Sequence, residues 1–492
     1  MGLRVAKTIK FSKLPVKFQL SAEKSEERQG DFGTDWKIRL NVIPVIPALV
    51  KNPLFQLRRC VTLILGLHDM EAKRPTLLLM VCGLLLATQL PRTAEAGALY
   101  FYEMSCASES GYAGAGMVAR ANDAGTAFSN PAGMTRFKSP VLLAGATGVY
   151  INAGFRSGPG TTAEGREKGI NKRVVPAGSF AYVRPVSDRI SLGISAHNYF
   201  GLALDWKDDW IGRESAVNIT LIAPQLQPTV AYRVNDWLSV GAGAALTLGY
   251  MKDKLRVEDP FNPGGRDGKL RLSDTDFAVQ GNFGVMLQPT EDMRIGIHYL
   301  TETDLKFRDS PDVSGVRFPD LPNVDITTPA KGLDLDITMP QAVDVAIHYQ
   351  WNDKLALLGS VGWEEFSEFG RVQVGIDNTG ITTTKDADFR DVWGFGVGVE
   401  YRYRPDLELT AGFTYNTSMS TDRTRPIVIP LGSMYRYAVG FKHERRDGLT
   451  LGGGLTWIWE GNLPVKDAGG INNGQYNNAW IAIPSLYAKW EF

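Results

Sequence analysis

Trp393-Gly394-Phe395-Gly396-Val397-Gly398-Val399-Glu400-Tyr401-Arg402-Tyr403-Arg404 alternates without a lapse. One phase reads Trp393, Phe395, Val397, Val399, Tyr401 and Tyr403. The other reads Gly394, Gly396, Gly398, Glu400, Arg402 and Arg404. Successive side chains of a strand point to opposite faces, so this strand has one apolar face and one face of glycine and charge. Leu238–Tyr250 follows the same scheme: Leu238, Val240, Ala242, Ala244, Leu246, Leu248 and Tyr250 oppose Ser239, Gly241, Gly243, Ala245, Thr247 and Gly249. Leu449–Glu460 does so too, with Gly453 and Ile458 out of phase. A soluble sandwich also alternates, but its strands are shorter and its apolar faces end less often in Tyr and Trp. Strands of about 9–11 residues or more with aromatic girdles are the pattern of a transmembrane β-barrel.

Turns set the strand number. Short Asp-bearing turns stand at Pro185–Asp188, Asn235-Asp236, Glu291-Asp292, Asn352-Asp353, Pro405-Asp406 and Arg446–Gly448. Longer polar loops span Asn152–Lys172, Asp205–Ser215, Glu258–Asp274, Asp309–Asp334, Asp377–Phe389, Thr421–Gly432 and Pro464–Asn478. These thirteen connections join 14 antiparallel strands, with short turns at one end and long loops at the other, as in the Gram-negative outer membrane. His197, Arg294, His298, Asp344, His348, Glu400, Arg436 and Lys442 oppose the apolar stripe. A central Lys or Arg facing lipid costs roughly 2–4 kcal/mol, so this phase should point into the lumen.

The start of the chain reads differently. Lys73 and Arg74 precede an apolar run from Leu77 to Leu90, followed by Pro91 and Ala94-Glu95-Ala96. That is a secretory signal with cleavage between Ala96 and Gly97; the run is shorter than the ~20 residues a membrane-spanning helix needs. Cys82 follows Val81 inside the run, which does not fit a lipoprotein. Met70 stands where such a signal should begin, so residues 1–69 are expected to be a misassigned, disordered extension. The reading is thus 1–69 extension, 70–96 signal, 97–138 an N-terminal segment and 139–492 barrel. After Ala96 there are 38 Lys/Arg against 45 Asp/Glu. That balance argues against nucleic-acid binding, which calls for a basic face. Of three cysteines only Cys106 follows the signal, so neither an intrachain disulfide nor a thiolate metal cluster is expected.

Gly97–Phe137 is rich in small residues and is not strand-like. It contains Asp123-Ala124-Gly125-Thr126-Ala127-Phe128 and then Asn130-Pro131-Ala132-Gly133, a turn or helix-stop signal. Such a segment could fold up inside a barrel. In order and spacing these motifs resemble the N-terminal hatch of the long-chain fatty acid outer-membrane transporters (FadL-type), a family that includes aromatic-hydrocarbon importers. Asn198-Tyr199-Phe200-Gly201-Leu202-Ala203, Met339-Pro340 and Trp363-Glu364-Glu365-Phe366-Ser367 add to the resemblance, which covers residues 97–492. It implies a plugged 14-stranded barrel that takes up hydrophobic molecules passively and releases them sideways at an inward kink of the third strand. The kink is placed in Leu192–Gly201, with Gly193, Asn198, Tyr199, Phe200 and Gly201 as candidates. Arg436 and Lys442 are candidate receptors for a fatty-acid carboxylate, with pairing to Glu400 or Glu460 as the bland alternative.

The remaining expectations are brief. His298-Tyr299 and His348-Tyr349 should line the lumen beside girdle tyrosines rather than bind metal or catalyse. No Ser-His-Asp grouping stands out, and no cofactor is expected. A non-specific porin is the alternative function, with an outer-membrane hydrolase or adhesin behind it. Expected partners are a hydrophobic ligand, lipid and lipopolysaccharide, and the barrel-assembly machinery through the terminal Phe492, with the protein a monomer.

Overall fold

The computed structural model describes residues 99–492 apart from 164, 167, 258–266, 311, 315–332, 377–380 and 467–471, together with the backbone of 2–11, 14–24 and 36–44. The chain divides into two units, residues 1–68 and 69–492. In the first, Gly2–Phe11, Leu14–Lys24 and Trp36–Pro44 form a three-stranded antiparallel sheet. The last of these segments has its own period of two: Trp36, Ile38, Leu40 and Val42 alternate with Lys37, Arg39 and Asn41.

The second unit is a closed antiparallel barrel of fourteen strands. They are β1 Val141–Ser157, β2 Lys168–Pro185, β3 Ile190–His197 with Gly201–Asp205, β4 Asn218–Ile222 with Gln225–Arg233, β5 Leu238–Val257, β6 Gly268–Thr290 and β7 Met293–Leu300. The remainder are β8 Ala342–Asn352, β9 Leu355–Glu364, β10 Val392–Arg404, β11 Leu407–Asn416, β12 Met434–Glu444, β13 Leu449–Lys466 and β14 Asn473–Glu491. Each pairs with the next, and β14 closes on β1, with Trp490 opposite Leu142 and Ala482 opposite Tyr150. All six short turns fall at one end. At the other, Thr303–Asp309, Leu333–Met339, Arg371–Ile376 and Ile381–Asp386 continue β7 to β10 as a separate four-stranded sheet.

Several strands run further than their apolar alternation suggests. β6 has 23 residues, which is about 75 Å of chain and far more than an apolar band about 25 Å tall requires. Parts of the expected loops at Asn152–Lys172, Glu258–Asp274 and Pro464–Asn478 are therefore strand. Beyond the lipid both faces of a hairpin meet water, so the ladder continues while the two-phase pattern disappears.

The two phases point as expected. Trp393, Phe395 and Val397 are exposed on the outside, Val397 by 61%. Trp457 and Trp480 stack, and Tyr435 packs at a tilt against Trp459, along the same outer surface. His197, Arg294, His298, His348, Glu400 and Arg436 are buried inside. No helix among the described residues is long and apolar enough to cross a membrane; strands make the crossing.

Candidate functional site: the hatch and the break in the wall

Residues 99–137 fill the lumen as a string of short helical turns: Tyr102–Ser105, Ala107–Gly111, Met117–Arg120, Thr126–Ser129 and Pro131–Arg136. Nearly all of this segment is buried. Helices of one turn are not stable alone, so their shape must come from the wall around them. The wall provides space first. A Cβ on Gly296 would overlap Val118 O, one on Gly412 would overlap Tyr112 O, and one on Gly284 would overlap the Asn130 side chain. Gly241 also lies too close to Pro131, and Gly454 to Gly111, to accept a Cβ. The lumen-facing glycines of the alternating strands are thus the seat of the hatch.

The wall also provides hydrogen bonds. Thr410 Oγ1 donates to Gly111 O (2.9 Å), Thr456 Oγ1 to Ser110 O (2.9 Å) and Ser485 Oγ to Ala107 O (2.6 Å). Asn282 Nδ2 donates to Phe128 O (2.8 Å) and Gln227 Nε2 to Ala127 O (2.8 Å). Arg294 caps the Met117–Arg120 turn by donating to Ala119 O (3.1 Å) and Arg120 O (2.9 Å). Glu400 receives Tyr112 Oη (2.8 Å) and Asn122 Nδ2 (2.9 Å) from the hatch, and His348 Nε2 lies 3.0 Å away in the wall. Cys106 is buried, with its Sγ 3.0 Å from Ser108 Oγ.

Asn130 ties three parts together. Its Oδ1 accepts from Ala132 N (3.1 Å), capping the next turn. Its Nδ2 donates to Val118 O (2.7 Å) within the hatch and to Val285 O (3.0 Å) on β6. Pro131 follows at the first position of that turn, where a missing N–H costs nothing. Ala132 is fully buried, and Gly133 lets the turn approach Thr126 and Ala121. Asn130→Ala removes all three bonds and is expected to destabilise the hatch by about 1–3 kcal/mol. Limited proteolysis should then cut residues 99–137 faster; unchanged cleavage would count against this role.

The wall itself is interrupted at β3. β2 pairs with β3 only over Phe180–Pro185, opposite Ala196–Ser191. Beyond that, Gly201–Asp205 pairs with β4 alone, opposite Ile222–Asn218. Between the two pieces, Asn198–Phe200 turns inward and meets the start of the hatch. Phe101 N donates to Tyr199 O (2.8 Å) and Gly201 N to Leu99 O (3.0 Å). Tyr100 packs its ring against Tyr199, Phe200 and Phe366, with centroids 5.0, 5.7 and 5.2 Å away. Tyr199 Oη donates to Gln280 Oε1 at 2.6 Å. With its amide turned to satisfy both atoms, Asn198 donates to Ala223 O (3.1 Å) and Phe200 O (2.9 Å), joining the bend to a matching break in β4. Above the break, Trp206 and Trp210 stack and are fully buried against the outer end of β2.

Gly193 plays a different part from the one its type suggested. It lies in an unbroken ladder, opposite Val183 and Thr229, and its missing Cβ makes room for Met134 of the hatch. Gly201 directly follows the bend, without a left-handed backbone. The kink arises from aromatic packing and main-chain pairing rather than from glycine freedom.

Arg436 and Lys442 also settle differently. Arg436 Nη1 donates to both oxygens of Glu103 (3.0 and 2.9 Å), and Nη2 to Tyr100 O (3.1 Å). Lys442 Nζ lies 2.7 Å from Glu408 and 3.4 Å from Glu400. Both cations are paired within the protein. The Glu400 partner of Lys442 was foreseen; Glu103 was not. The cleavage pair Ala96–Gly97 lies outside the described residues. His298 and His348 are buried inside, whereas Tyr299 and Tyr349 face outward.

Comparison with known proteins agrees with this geometry. Outer membrane protein P1 of Haemophilus influenzae is 25% identical over 408 residues, covering 74% of this chain and 86% of that one. A long-chain fatty acid transport protein of Escherichia coli is 24% identical over 397 residues, covering 74% and 84%. The crystal structure of a Pseudomonas aeruginosa FadL homologue superposes with a TM-score of 0.71 at 19% identity, over 80% of this chain and all of the other. Residues 85–482 match the family described as outer membrane protein transport protein (OMPP1/FadL/TodX). A closed barrel around a seated hatch and a match over most of the chain lead to one conclusion: this is an outer-membrane β-barrel of the OMPP1/FadL/TodX transport family.

Proposed function

We propose that the protein takes up hydrophobic molecules passively, long-chain fatty acids or related hydrocarbons, and releases them sideways while the hatch stays seated. Cargo enters at the long-loop end and reaches the aromatic cluster around Leu99–Phe101. It leaves between β2 and β3, where the wall has lost its backbone pairing. The observation that carries this reading is that break, lying beside a hatch tied to almost every strand. Each Å² of apolar surface gains about 25 cal/mol on leaving water. A side exit into lipid spares the cargo a second passage through water. Phe492, exposed at the chain end, is available to the assembly machinery.

Ala177 offers a direct test. It is buried, faces the lumen and lies on the stretch of β2 that β3 does not pair. Ala177→Trp should fill the outlet and lower uptake of a labelled apolar compound at least ten-fold. The barrel should still fold, as read by heat-modifiable migration on gels. Undiminished uptake by a folded variant would overturn the proposed exit.

A further inference from the structure

We infer that the outer face of β5 and β6 carries a binding site for the phosphate groups of a lipopolysaccharide molecule in the outer leaflet. The site stands apart from the cargo route and goes beyond the transport reading. On β5 the outward phase runs Val240, Ala242, Ala244, Leu246, Leu248 and Tyr250, then changes to Lys252, Lys254 and Arg256. At the usual strand rise and tilt, Val240 to Tyr250 climbs about 25 Å, the full height of the apolar band. Lys252 therefore begins at the outer headgroup level, on the long-loop side. β6 repeats the change: Val279 and Phe277 are 62% and 79% exposed, and Arg271 and Lys269 lie above them. Arg271 is opposite Lys254, and Lys269 is opposite Arg256. Directly opposed residues share a face, so five cations stand in three rows on two neighbouring strands.

The charges around them leave an excess. Asp208 bridges Lys254 and Arg256, at 2.7 Å from each. Asp205 reaches the same face beside Asn218, which is opposite Lys254, and Asp312 is opposite Arg271. Five cations thus meet three carboxylates. Lys252, Lys269 and Arg271 form no ion pair among the described residues, and Lys252 and Arg271 are exposed. Asp208 already holds Lys254 and Arg256 in place, so a ligand spends little on ordering them. A guanidinium matches phosphate oxygens with two parallel bonds, and the ammonium groups add point charge. The three rows extend over about 13 Å of strand, room for two phosphates rather than the one of a phospholipid. Below them Leu248, Tyr250 and Phe277 present an apolar surface to acyl chains. A basic residue beside an anionic membrane surface is worth about five-fold in binding, so three of them are worth about a hundred-fold.

The test titrates the full-length protein in detergent with bisphosphorylated lipid A and counts bound lipid by native mass spectrometry. A chelator is present, so that divalent cations cannot bridge phosphate to carboxylate. The same lipid A with its phosphates removed should bind at least ten-fold more weakly, and so should phosphatidylglycerol. Lys252→Gln with Lys269→Gln and Arg271→Gln should weaken lipid A binding at least ten-fold. Lys252→Glu with Arg271→Glu should do the same, which guards against the triple variant failing to fold. Arg445→Gln with Arg446→Gln, at the short-turn end, should leave binding unchanged. Equal binding with and without phosphates, a folded triple variant that binds as the parent does, or an equal loss from the short-turn variant would overturn the site. Phosphatidylglycerol binding as tightly as lipid A would overturn the assignment to a glycolipid.

Discussion

Gly296→Val is expected to unseat the hatch and turn a closed barrel into a leaking one. Any Cβ at this position overlaps Val118 O, a backbone atom that cannot swing aside as a side-chain tip can. Nor can the Val118 backbone shift readily. Arg294 holds the next two carbonyls, and Asn130 Nδ2 holds Val118 O itself. Overpacking a tight interior costs typically 1–3 kcal/mol when side chains can adjust, and a backbone collision stands at the upper end or beyond. The barrel ladder, with Gly296 opposite Met286 and Ala346, is left intact, so the strands should still insert. In a planar bilayer the parent should show no steady conductance and the variant should show an open pore. Gly412→Val, which strikes Tyr112 O from β11, should act alike. A silent Gly296→Val bilayer with unchanged protease resistance would mean that the glycines do not seat the hatch. Steady conductance in the parent would instead favour a porin.

Arg436→Ala should be strongly destabilising. Glu103 has no exposed surface and Arg436 only 6%. Removing one partner of a buried pair leaves the other uncompensated, at a cost of about 3–5 kcal/mol. The Tyr100 carbonyl also loses its donor, and with it the segment that pairs with the β3 bend loses an anchor. Thermal unfolding of the hatch, followed by protease sensitivity along a temperature ramp, should shift to a clearly lower midpoint. Adding Glu103→Gln should recover much of the loss, because a neutral amide tolerates burial better than a lone carboxylate. Equal midpoints for the single and double variants would show that charge isolation is not the cause.

Particular residues show where sequence alone reached and where it stopped. The alternation in Trp393–Arg404 and its repeats set the facing of each side chain, because register on a one-sided strand is a local property, and the turns between such strands set their number. Asn130-Pro131 was legible because a cap and a turn are local too. The lumen phase of Gly396 and Gly398 was visible as a pattern, but its purpose, close approach to Ala115 of the hatch, was not. That purpose depends on a backbone nearly three hundred residues earlier. Arg436 shows the same limit, since Glu103 sits 333 residues away and no spacing rule joins them. The pairing of Leu99–Phe101 with Tyr199–Gly201, which sets the bend, leaves no periodic trace in either segment. Gly193 misled for a related reason: a glycine in a strand signals either a kink or a close approach, and here a methionine of the hatch decides which.

The central claim is that cargo leaves through the wall with the hatch in place, and a covalent staple addresses it directly. A Cβ on Gly398 would lie 3.2 Å from the Ala115 Cβ, just under the span of about 3.5–4.5 Å that a disulfide adopts. Ala115→Cys with Gly398→Cys, in a Cys106→Ser background, would pin the hatch to β10. Uptake of a labelled apolar compound is then measured in the oxidised and reduced forms of the same protein. Equal uptake in both forms is the predicted result. Uptake abolished by oxidation and restored by reduction would show that cargo passes where the hatch sits, and would contradict the lateral route.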